Sequence, residues 1–170
     1  MTLYDDALRL RALLARTTPG RWHLKLHGEG GILEEPQGFG GEASVTFTLI
    51  GATAADARFV AHARADAAYV IGLFRGGSAV GDAERGQLDG ILDRCRHAAP
   101  PPWTSFVEDR DHVSGSDVIV RDTDDPEHDD LEIVGASAAD LDFIAAARHD
   151  LVQIARRLSC HPHALHALPG

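Results

Sequence analysis

A six-residue stretch of this chain returns 84 positions later with one conservative change: Gly51-Ala52-Thr53-Ala54-Ala55-Asp56 reappears as Gly135-Ala136-Ser137-Ala138-Ala139-Asp140. The match continues through Phe59/Phe143, Ala61/Ala145, Ala63/Ala147, Arg64/Arg148 and Asp66/Asp150, so that ten of the 25 positions in 51–75 are identical in 135–159. Alanine richness inflates such a count, but Phe, Arg and Asp falling at one offset does not follow from composition. An internal repeat restricts the fold to two copies of one supersecondary unit. A unit of about 80 residues is marginal alone, so the copies are expected to share an interface.

The repeated stretch states its own local structure. Thr53 or Ser137, followed three residues later by Asp56 or Asp140, is a capping-box-like helix start: the hydroxyl accepts an early helical N–H and the carboxylate meets the positive helix end. Beyond the cap, Phe59, Val60, Ala63, Ala67, Val70 and Phe74 keep helical spacing. Phe143, Ile144, Ala147, Leu151, Ile154 and Leu158 repeat it.

Upstream of each such helix the pattern is also shared. Residues 4 to 16 read as a helix with Ala7, Leu10, Leu13 and Leu14 on one side, stopped by Thr17-Thr18-Pro19-Gly20. Alternating strands follow at Trp22 to Leu26, a hairpin partner at Ile32-Leu33 after Gly28, Gly30 and Gly31, and a third strand at Val45 to Leu49 beyond a glycine-rich loop. Gly76, Gly77 and Ser78 mark the expected hinge. A helix over about 81–97, a stop at Ala99-Pro100-Pro101-Pro102, and strands at 103–107, 117–120 and 131–134 then repeat the order. The expected fold class is α+β: a tandem duplication of an α-β-β-β-α unit, with antiparallel sheets covered by helices in a pseudo-twofold arrangement. Its parts are a first repeat over 1–78, a second over 79–160 and a tail over 161–170.

Composition narrows the function classes. Against 16 basic side chains stand 26 acidic ones, a net charge of −10. That opposes binding to nucleic acid and favours either simple solubility or a partner protein with a basic surface. No apolar run approaches the roughly 20 residues of a membrane span, and Tyr4-Asp5-Asp6 opens no secretory leader. Two cysteines, Cys95 and Cys160, give no disulfide framework. A cytoplasmic location is expected.

The pairing of Thr18-Pro19-Gly20-Arg21-Trp22, after a leucine-rich helix, with Ala55-Asp56-Ala57-Arg58-Phe59-Val60-Ala61 resembles the Ead-like family of phage early-region accessory proteins. Pro101-Pro102-Trp103 and Ala139 to Arg148 are the matching pieces of the second copy. Members of that family typically show one unit, and a second proline where Arg21 stands, so the double copy is a departure. The resemblance implies a phage or prophage origin and a small non-enzymatic accessory protein, and it carries no catalytic residues over.

Three constellations are candidates for chemistry. Arg64-x-Asp66 and Arg148-x-Asp150 border the apolar stripes of the repeated helices. They either tie down neighbouring loops and carboxylates, or line, with Trp22 and Trp103, a pocket between the repeats that grips a phosphate or carboxylate. The acidic run Asp122, Asp124, Asp125, Glu127, Asp129, Asp130 lacks the glycine of a calcium loop and reads as a solvated hairpin tip or a docking surface for a basic partner. Cys160, His161, His163 and His166 offer zinc donors without a second knuckle, so no metal site is expected. With no nucleophile elbow, Walker loop or zinc-protease motif, neither an enzyme nor a cofactor is expected. The reading is an acidic, non-enzymatic inhibitor that occludes a partner protein, as in immunity or counter-defence. The alternative is a protein that sequesters a small, nucleotide-like anion.

Overall fold

The computed structural model describes residues 2–28, 32–34, 43–76, 80–111, 113, 115–121 and 130–160. Its elements, in order, are α1 (Leu3–Leu14), β1 (Arg21–Leu26), β2 (Ile32–Glu34), β3 (Ser44–Ile50), α2 (Ala54–Gly76), α3 (Asp82–His97), β4 (Trp103–Phe106), β5 (Val118–Arg121), β6 (Leu131–Val134) and α4 (Ala138–Cys160). The fold is α+β, with four helices and one mixed sheet, and none of the described helices is long and apolar enough to cross a membrane.

Both long helices start as their sequences dictate. Asp56 N donates to Thr53 Oγ1 at 3.1 Å, and Thr53 N donates back to Asp56 Oδ2 at 3.0 Å. Ser137 and Asp140 make the same reciprocal box at 3.2 and 2.9 Å. Alanine then sustains the helix and lets other backbones approach. Gly51 and Gly135, just ahead of the caps, hold φ of +75° and +93°. A Cβ at Gly51 would lie 2.5 Å from the Asp130 carbonyl oxygen, so both the turn and the close approach require glycine.

The sheet departs from expectation. All six strands form one sheet in the order β2-β1-β3-β6-β5-β4, not two antiparallel sheets. The second half is the expected meander, with β5 between β4 and β6. In the first half β1 takes the middle, antiparallel to β2 and parallel to β3. Strand length accounts for this. β1 pairs with β3 along all six of its residues and buries Trp22 and Leu24, whereas the three-residue β2 has too short a ladder for the centre. The halves meet where β3 and β6 run antiparallel, Leu49 facing Ile133.

One face of the sheet is the core. Trp22, Leu24, Phe47, Leu49, Trp103, Ile119, Leu131 and Ile133 point to it and are buried. Alternation sends Arg21, Lys25, Thr46, Thr104, Phe106 and Val134 to the other face, where they are exposed. α2 and α4 lie on the buried face, while α1 and α3 pack mainly on those two helices. α4 is consequently enclosed on most sides, which is why even Asp140, Arg148 and Asp150 are buried.

Candidate functional site

The residues duplicated in sequence converge on the seam between the halves. Asp56 uses Oδ2 for its own helix cap and turns Oδ1 to the backbone N–H of Ala99 in the other half, at 2.7 Å. Asp140 does the same with Thr18: its Oδ1 accepts from Thr18 N at 2.7 Å and its Oδ2 from Thr18 Oγ1 at 2.6 Å. The loops so held carry the tryptophans. Trp22 Nε1 donates to Thr18 O at 3.1 Å, and Trp103 Nε1 to Ala99 O at 3.2 Å.

The rings complete the exchange. Trp22 stands edge-on to Phe143 with centroids 6.4 Å apart, and Trp103 stands edge-on to Phe59 at 5.5 Å. Each such pair adds about 0.5–1.5 kcal/mol beyond its buried area. Arg64 lies over Trp22 at 4.8 Å and donates to Gly20 O at 2.6 Å. Arg148 lies 6.0 Å from the Trp103 centroid and donates to Ala99 O at 2.9 Å and Ala98 O at 3.3 Å. Asp66 accepts both arms of Arg94 at 2.9 and 2.6 Å, and Asp150 accepts Nε of Arg9 at 3.1 Å together with Nη2. Burial pushes both carboxyls above the ordinary aspartate value despite their arginine partners.

The six sequence candidates for a ligand pocket are therefore placed at the seam, each engaged by neighbours of its own chain. Arg148 also borders a cleft of about 300 Å³ between α3 and α4. Asp122, Asp124, Asp125, Glu127 and Asp129 lie outside the described residues, as do His161, His163 and His166. Asp130 is exposed at the entry to β6, and Cys160 is exposed at the end of α4. No cluster among the described residues could hold a metal ion.

Sequence reasoning missed three things here. The second role of Asp56 and Asp140 had one available signal: both copies keep Asp where a cap alone would accept Glu. Arg9 and Arg94, the partners of Asp150 and Asp66, are ordinary helix-surface arginines in sequence. Arg121, at the end of β5, alternates inward and reaches Asp56 Oδ2 at 2.8 Å and Gly51 O at 2.7 Å, forming an ion pair with no exposed side-chain surface on either partner. No family model, curated protein or solved structure matches this chain.

Proposed function

We propose that the chain is a non-enzymatic binding protein that occludes a partner protein with a basic surface, docking it on the uncovered sheet face of β4, β5 and β6. The observation that carries this reading is the exposure of Phe106 and Val134 on strands whose neighbouring sequence is strongly acidic. Phe106 stands opposite Val118, Val118 opposite Glu132 and Glu132 opposite Ile50, one row across four strands. Phe106 is 37% exposed and Val134 48%. In sequence, residues 108–132 hold eleven acidic and two basic side chains, −9 of the chain's −10. Apolar contact through Phe106 and Val134 would supply affinity, and the negative charge of this region would steer and select a basic partner.

Two units, 1–78 and 79–160, related by duplication and set about a pseudo-twofold axis between β3 and β6, are the arrangement we favour. The exchanged contacts of Asp56 with Ala99 and Asp140 with Thr18 support it; the differing strand orders are the departure it must accommodate. A cytoplasmic phage or prophage accessory protein of the immunity or counter-defence kind is the setting we infer.

The test is affinity capture from the native host with the wild type and with Phe106→Ser/Val134→Ser. A basic protein retained by the wild type, released by added salt and lost from the variant is the expected result. Equal retention by both proteins sinks the proposal.

A further inference from the structure

Between α3 and α4 runs a cleft of about 300 Å³ lined by Leu92, Cys95 and Arg96 on one side, His149, Val152, Gln153 and Arg156 on the other, and Arg148 and Pro101 at its wall. The α4 set falls at positions i, i+3, i+4 and i+7, one continuous helix face, and the α3 set at i, i+3, i+4. Three arginines and a histidine line this space and no carboxylate does, in a chain with ten more acidic than basic side chains.

The arginines differ in their commitments. Arg148 is 3% exposed and spends Nε and Nη2 on the carbonyls of Ala99 and Ala98; among the described residues no carboxylate is in direct contact with it, and Asp56 acts on it only through space. Burial accordingly weakens its hold on the proton. Arg96 is mostly exposed and has only a long contact, 3.5 Å, with Asp93 one helical turn back. Arg156 is exposed on the facing helix. A buried cation without a direct ion pair and two exposed arginines at the rim make a positive well, and the guanidinium fork matches phosphate oxygens. Inorganic phosphate would fill a small part of the volume, which sits at the lower end of the range for small-molecule sites. Leu92, Val152 and Pro101 offer apolar wall to the remainder.

We propose that the α3/α4 cleft binds an organic phosphomonoester, the phosphate held by Arg96 and Arg156 against the charge of Arg148 and the organic group laid on Leu92, Val152 and Pro101. The site is separate from the sheet face and stands or falls independently of it.

Phenyl phosphate is the probe, titrated into the full chain by calorimetry, with phenol and inorganic phosphate as comparisons. Because Arg96 and Arg156 are exposed, Arg96→Gln/Arg156→Gln should fold, which far-UV circular dichroism checks. Expected are one phenyl phosphate per chain, weaker binding of inorganic phosphate, none of phenol, and at least about a tenfold loss of affinity in the variant. No binding at about 10 mM phenyl phosphate overturns the site, since that corresponds to negligible affinity. Undiminished binding by the variant overturns it equally. Inorganic phosphate binding as tightly as phenyl phosphate overturns the organic half of the assignment.

Discussion

Replacing Asp56 by Asn separates two things that carboxylate does. Asn offers one acceptor oxygen in place of two, so it loses the bonds on one side of the group, and it leaves the Arg121 guanidinium buried without an anion. Asp140→Asn is the matched control: it loses comparable bonds to Ser137 and Thr18, yet among the described residues no cation reaches Asp140. Stranding a buried charge costs about 3–5 kcal/mol, whereas losing buried hydrogen bonds from neutral donors costs about 1–3 kcal/mol. The two variants should thus differ by roughly 2 kcal/mol, against a total stability on the order of 5–15 kcal/mol. In urea, at a slope of about 2 kcal/mol/M, their midpoints should lie about 1 M apart, Asp56→Asn unfolding first. Adding Arg121→Met to Asp56→Asn should recover stability, because the orphaned cation is removed and apolar volume replaces it. Coincident midpoints for the two asparagine variants, or no recovery with methionine, would refute the assignment of Arg121 and Asp56 as a coupled buried pair.

Two further outcomes follow from the ionisable groups. Burial pushes the Cys95 thiol up to about 11, while Cys160 is exposed; at pH 8 one thiol per native chain should react rapidly with a disulfide reagent and the second only in denaturant, two fast equivalents contradicting the placement of Cys95. Burial raises the Asp142 carboxyl, but the bonds from Arg110 and Ser105 together outweigh it and hold the group below its ordinary 3.8. A depressed folded value means that the folded state binds fewer protons than the unfolded state, so the stability it contributes is present above 3.8 and lost as pH falls through the folded value. Asp142→Asn should flatten the decline in unfolding free energy between pH 5.5 and about 3, and an unchanged slope would count against this ion pair.

The sequence by itself determined what depends on neighbours along the chain. Thr53 with Asp56, and Ser137 with Asp140, lie three residues apart, so their capping bonds close within one helical turn and need nothing from the rest of the molecule. Alternation at Trp22 to Leu26 and Val45 to Leu49 set which side chains go inward, and those strands form within a residue or so of where that pattern places them. Only the tertiary structure decided how strands are ordered and what the second oxygen of each capping aspartate meets. A six-residue β1 outcompetes a three-residue β2 for the centre because ladder length and two-sided burial are weighed across the whole sheet. Asp56 finds Ala99 and Arg121, 43 and 65 residues away, because a buried carboxylate must fill all its acceptor sites with whatever the fold brings near. The cleft of Arg96, Arg148 and Arg156 likewise exists only once α3 lies against α4, since nothing local relates Arg96 to side chains 52 and 60 residues away.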